Sequence, residues 1–387
     1  MSKLNRRHFL QSSIAGCSLA ASPWMTPIAL AATPSEQRLV VIILRGGMDG
    51  LDVLRPVGDP DFAALRHSFA TANRSLELDP LFALHPGLAE LMPLWRAGEL
   101  GFAHAVSTPY RDKRSHFEGQ DYLEAGLPAD QAVNATSQGW LNRLVELLPK
   151  ATARTAFAVG HEQMAVLQGP APHSVWHPDT GLSASPQMQL LLEHVYHEDP
   201  LFRDSAAVTF ELLADAETGE RAAKPYHRVI DYVAQQLQAD TRIASFSISG
   251  WDTHRTQSTA LNGPLHRLAT ALLRLKSQLG PIWQSTAIMA VTEFGRAARE
   301  NGTKGTDHGT GSAMLLAGGA MRGGRVYCDW PGLDEAALYD RRDLRPTQDL
   351  RAYLGGVLEG MTGLSRTDLE SRVFPGCDMA EIPRLIL

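Results

Sequence analysis

The run Leu39-Val-Val-Ile-Ile-Leu44 constrains this chain more than any other feature. It is short, continuously apolar and mostly β-branched. A strand with one wet face would alternate apolar and polar residues; this one does not. It therefore reads as a strand covered on both faces, as parallel sheets are. Further strand signals lie at 100–106, 155–159, 243–248, 287–291 and 313–317. Helical periodicity occupies 86–97, 115–125, 137–148, 186–197, 205–215, 226–239, 258–279 and 347–361. Strands alternating with helices predict an α/β fold: a doubly wound, mostly parallel sheet with helices on both faces. The segments 160–185 and 298–312 are rich in glycine and polar residues and read as loops.

Residues 1–31 read as an export signal. Asn5-Arg6-Arg7-His8-Phe9-Leu10 is a twin-arginine pattern, a mildly apolar stretch follows, and Ala29-Leu30-Ala31 offers a cleavage site before Ala32. Ile14-Ala15-Gly16-Cys17 offers lipidation at Cys17 as an alternative. The expected layout is a signal peptide over 1–31 and one domain over 32–387, placed in the periplasm. No later stretch is apolar for long enough to span a membrane. Loss of Lys3, Arg6 and Arg7 with the leader moves the net charge from −6 to −9. No basic surface for nucleic acid is implied. Cys328 and Cys377 remain, without a CxxC metal pattern.

Chemistry-bearing residues fall just after the apolar runs, where a sheet delivers side chains to one edge. Asp49 and Asp52 follow the first strand across Gly46-Gly47. Asp49 reads as a metal ligand or as the turn residue before a helix. Ser115 opens a Ser-His-Phe-Glu capping box, and equally stands where a nucleophile would sit. His116 shares a helix face with Gln120. Asp252 and His254, two apart in extended chain, face one side and suit zinc or manganese. Glu293 would be costly to bury unless Arg296 or a cation neutralised it. His308 lies among glycines in Gly305-Thr-Asp-His-Gly309.

Together, Leu44-Arg-Gly-Gly-Met-Asp-Gly-Leu-Asp52, Arg114-Ser-His-Phe-Glu-Gly-Gln-Asp121, Gly250-Trp-Asp-Thr-His254, Thr292-Glu-Phe-Gly-Arg296 and Asp307-His-Gly309 resemble the bacterial family known as domain of unknown function 1501. The resemblance spans essentially all of 32–387 and implies the alkaline-phosphatase and sulfatase superfamily, whose sites hold two metals. It matches Asp49 to the superfamily's first metal Asp, and Ser115 to its nucleophile. Asp252, His254 and His308 match the first metal site. Glu293-Phe294-Gly295 falls where the superfamily has Asp-His-Gly, so Phe294 removes a ligand unless His116 supplies one.

The resulting expectation is an exported metal-dependent hydrolase or transferase of phosphate or sulfate esters. Its catalytic residues would be Ser115, His116 and Arg296. Its ligands to zinc or manganese would be Asp49, Asp252, His254, Glu293 and His308. Arg45, Arg114 or Arg296 would hold the anionic oxygens. The competing expectation is a non-catalytic periplasmic binding or assembly protein, partnered by an exported protein of the domain of unknown function 1800 family.

Overall fold

The first strand, β1 (Arg38–Arg45), is buried along its whole length. Its side chains divide by parity. Leu39, Val41 and Ile43 enter one core, and Val40, Ile42 and Leu44 enter another on the opposite face. This computed structural model describes residues 36–72, 75–111, 113–134, 137–160, 164–176 and 225–387. The leader and the two helices expected at 186–197 and 205–215 lie outside them.

Along the chain the remaining strands of the large sheet are β2 (Leu100–Ser107), β3 (Ala156–Val159), β4 (Ser174–Trp176), β5 (Ile243–Ser249), β6 (Thr286–Val291), β7 (Ser312–Ala317), β8 (Val326–Tyr327) and β9 (Gln348–Asp349). Their order is β8-β2-β7-β6-β1-β5-β3-β4, with β9 also pairing with β2. β1 is parallel to both β5 and β6, and β3 is parallel to β4 and β5. β7 is antiparallel to β6 and β2. The sheet is thus mixed but mostly parallel, and all six strand signals of the sequence fall in it.

Helices α1 (His116–Ala125), α2 (Trp140–Leu147), α3 (Pro225–Gln238), α4 (Asn262–Leu279) and α5 (Leu350–Thr362) supply the covering layers. Residues of α2 and α5 pack in the core of one face, and residues of α3 and α4 in that of the other. α1 and α5 each end on a left-handed glycine, Gly126 and Gly363, where a side chain would be strained. The helix expected over 86–97 is broken into a 3-10 turn, Pro86–Leu91, and a short α-helix, Met92–Arg96. Pro93 lacks the N–H that a continuous helix would need there. Cys328 and Cys377 are both free thiols. No helix of the described residues is long and apolar enough to cross a membrane.

Candidate metal centre

β5 ends at Ser249, and Gly250 turns the chain into Trp251-Asp-Thr-His254. Trp251 and Thr253 are buried, whereas the side chains of Asp252 and His254 are 45% and 41% exposed. The alternation expected from the i, i+2 spacing is present: two side chains anchor the segment and two face the open edge. The loop after β1 packs tightly beneath them. Gly46 has φ +118°, and a Cβ there would lie 2.6 Å from the Asp252 backbone nitrogen. No other residue fits that approach.

β6 delivers Thr292 and Glu293, after which the chain folds back so that Arg296 bridges His308 in antiparallel fashion. This return brings His308 Nε2 to 2.9 Å from His254 Nε2 and 3.2 Å from Asp252 Oδ1. His254 Nε2 is itself 3.0 Å from that oxygen. From the opposite side, α1 contributes His116, whose Nε2 is 3.5 Å from Asp252 Oδ1. The donor atoms of His116, Asp252 and His308 all lie within 4.8 Å of one another, close enough to share one ion. His254 stands against two of the three.

The other nitrogen of each ring is occupied. His116 Nδ1 is 2.8 Å from Glu293 Oε1, His308 Nδ1 is 2.8 Å from the Arg114 carbonyl oxygen, and His254 Nδ1 is 3.4 Å from Asp307 Oδ1. An Nδ1–H donated outward leaves the Nε2 lone pair facing the cluster. His116 Nε2 is buried and has no hydrogen-bond partner. Two Nε2 atoms at 2.9 Å also need a proton or a cation between them, because two lone pairs repel. Imidazole nitrogens with a carboxylate oxygen are a donor set suited to zinc. The residues therefore fit one metal ion.

Hydrogen bonding and burial act differently on these groups. The hydrogen bond that His116 donates to Glu293 raises the His116 pKa above its ordinary value. Burial lowers that of His308, helped by the nearby Arg296 charge. Burial would raise the Asp252 pKa, but the hydrogen bond and charge of Arg296, joined by His254 and His116, together outweigh it and hold this carboxyl below the usual range. Glu293 is likewise depressed, since His116, the Gly46 N–H and Thr292 outweigh its burial.

Several expected residues take other places. Asp49 does not meet the histidines. Its oxygens accept from Arg66 Nη1 at 2.5 Å and Nη2 at 3.1 Å, and from Gln257 Nε2 at 2.6 Å. Arg66 is fully buried, so Asp49 is already neutralised by a guanidinium. Asp52 is paired in the same way with Arg55, at 2.7 Å. Glu293 touches the cluster only through His116 Nδ1. Arg296 does not neutralise Glu293; its Nη2 lies 2.5 Å from Asp252 Oδ1, and its other contacts are the carbonyls of Gly46, Gly47, Trp251 and Thr306. Arg45 is bound to Glu124 and Gln120, each at 2.8 Å. Phe294 stacks on the His116 ring at 5.0 Å and lies 5.1 Å from the His308 ring. The Phe294 ring thus forms an aromatic wall beside two of the histidines.

Ser115 occupies the N-cap position of α1, but its side chain makes no capping hydrogen bond. Glu118 turns instead to Lys113 and Tyr110. The capping box is present as a pattern and absent as a structure. Arg114 has φ +51°, and its Nε is buried without a hydrogen-bond partner. Sequence reasoning missed Arg66 and Gln257, which sit in stretches with no motif, and passed over Asp307 for its neighbour His308.

A family model described as a protein of unknown function, DUF1501, matches residues 211–363. No curated protein matches the sequence. Solved structures that resemble the chain include a protein of the alkaline phosphatase superfamily from Vibrio parahaemolyticus, at 13% identity and TM-score 0.38, covering 82% of this chain and 69% of that one. The lipoteichoic acid synthase LtaP from Listeria monocytogenes matches at 8% identity and TM-score 0.34, covering 77% and 68%. The C-terminal periplasmic domain of EcEptC from Escherichia coli matches at 10% identity and TM-score 0.39, covering 92% and 93%.

Proposed function

We propose that this protein is an exported, metal-dependent hydrolase or transferase of phosphate or sulfate esters, belonging with the domain of unknown function 1501 family. The observation that carries the reading is the convergence of three imidazole Nε2 atoms on Asp252 Oδ1, with His116 Nε2 buried and making no hydrogen bond. His116, Asp252 and His308 would hold the ion, with His254 Nε2, at 2.9 Å from His308 Nε2 and 3.0 Å from Asp252 Oδ1, as a fourth donor; zinc or manganese suits these donors. When bound, it would supply Lewis acidity at an ester oxygen.

The remaining steps belong to the protein. Arg114, whose Nη2 pairs with Asp343 at 3.2 Å and whose buried Nε makes no hydrogen bond, would hold an anionic oxygen of the ester, while Arg45 and Arg296 bind Glu124 and Asp252. The Ser115 hydroxyl, free of a capping role, is the attacking oxygen in a transferase-like route. A new Ser115 O–P or O–S bond would form as the alcohol leaves, and water or a second alcohol would then take the group. The twin-arginine leader at 1–31 would place the protein in the periplasm.

Elemental analysis of protein purified from the periplasm, with turnover of aryl phosphate and aryl sulfate esters, tests the reading. One equivalent of zinc or manganese and turnover lost in Ser115→Ala would support it. Metal-free protein without turnover would remove it.

A second reading draws on Asp49, Asp52 and Phe294. The two acids are closed by arginines, and the ring of Phe294 fills space beside the cluster. These features suit a one-ion binding protein that retains the sheet without two-metal chemistry and assembles with an exported protein of the domain of unknown function 1800 family. A bound ion without ester turnover is its signature.

A further inference from the structure

We propose that Glu293 and Asp307 are positioning residues of the metal centre: each accepts the Nδ1–H of one imidazole and so commits that ring's Nε2 lone pair to the ion. The inference rests on the metal reading of this site, and it assigns Glu293 a role other than ligand. Glu293 is completely buried. Its Oε1 accepts from the Gly46 N–H at 2.9 Å, from His116 Nδ1 at 2.8 Å and from Gln120 Nε2 at 3.3 Å, while Oε2 accepts from Thr292 Oγ1 at 2.9 Å. A carboxylate held by four donors is fixed in orientation, and the donors use the lone pairs an ion would need. It fixes the face of α1 that carries His116.

Asp307 does the same for His254 at the exposed side. Asn301 Nδ2 is 3.0 Å from Asp307 Oδ1 and also 3.0 Å from the His254 carbonyl oxygen. One amide thus holds the carboxylate and the backbone of the ring it serves. The third ring, His308, takes its acceptor from the Arg114 carbonyl at 2.8 Å, so no side-chain variant can remove it. Three rings from three chain segments therefore have three independent acceptors. The opposite tautomer of His254 would donate Nε2–H toward His308 and leave Asp307 without a role, which makes the assignment testable.

The experiment uses the mature chain, 32–387, and zinc affinity measured by competition with a chromophoric chelator. Asp307→Asn is expected to weaken zinc about 10–100-fold, with the unfolding midpoint of the metal-free protein unchanged. Asp307→Glu should recover part of the loss. Glu293→Gln is expected to fall in the same range. Should that buried variant fail to fold, nitrogen-15 NMR of the wild type decides instead, with His116 and His254 protonated at Nδ1 in the zinc-bound protein. Equal zinc affinity in Asp307→Asn and wild type overturns the proposal, as does a zinc-bound His254 protonated at Nε2. A wild type that binds no metal would sink this inference together with the metal-dependent reading, whereas equal affinities in a wild type that binds zinc and turns over esters would sink this inference alone. Binding that weakens as expected in a protein with no turnover would do the reverse.

Discussion

Two polar groups lie at the edge that follows β1, and they differ in what closes them. Around Asp49 and Asp52 every charge has a fixed partner: Arg66, Arg55 and the bridging Gln257, which reaches both acids. Around Asp252 the acid has one guanidinium, Arg296, and the Nε2 atoms of three rings stand against its Oδ1. Both contain carboxylates after a strand, and sequence alone gives them equal claim to an ion. A buried guanidinium is a cation built into the chain. Two such guanidiniums close the first group; in the second, the single guanidinium of Arg296 is joined by three imidazoles, a donor set that would suit a cation from outside.

The largest test of this contrast is Arg66→Met. It leaves Asp49 buried and uncompensated, and should cost about 3–5 kcal/mol in denaturant unfolding. Combining it with Asp49→Leu should restore most of the loss. If Arg66→Met alone were neutral, the closed region would not be held by charge.

The histidines bordering the closed group give the next effect. Burial lowers the pKa of His85 and of His104 to about 4. A neutral folded histidine that protonates when unfolded contributes stability above its ordinary pKa. That stability is lost as pH falls from about 6.5 toward 4. His104 alone should account for about 3 kcal/mol of this loss. His104→Gln should flatten the pH dependence of unfolding across that window. His116 has the opposite sign. Its pKa is raised by Glu293, so its contribution is complete below the ordinary histidine value and fades as pH climbs through the raised one.

A smaller stability effect is expected in the open group. His308→Ala should abolish measurable zinc uptake, yet shift metal-free stability by no more than about 1 kcal/mol. A loss several times larger would mean that His308 is a core histidine. Least of all, Ser115→Ala should change stability by less than about 0.5 kcal/mol, because the side chain makes no capping bond. A helix-cap loss of about 1 kcal/mol would show that the capping box forms in solution.

The same contrast explains what could be read from the sequence. The sheet was legible because apolar runs such as Leu39–Leu44 and Ala287–Val291 leave few options for burial. Asp252 and His254 were legible because spacing of two in an extended segment is geometric. Whether Asp49 faces an ion or an arginine was not, since Arg66 lies 17 residues away in a stretch without a motif and no periodicity announces the pairing. Ser115 shows the converse: its local pattern is complete, yet Glu118 found Lys113 and Tyr110 instead. Short motifs state which bonds are available, and tertiary neighbours choose among them.

The return of the chain from Arg296 to His308 has a mechanical consequence. His254 and His308 are 54 residues apart, and the Glu293 that orients His116 is 177 residues from it. An ion held between these rings would staple α1, the end of β5 and the returning segment, closing long loops that the polypeptide otherwise leaves open. Its removal would then shorten the lifetime of the native state by letting these three segments part independently, like a clasp undone on a strap that still lies in place.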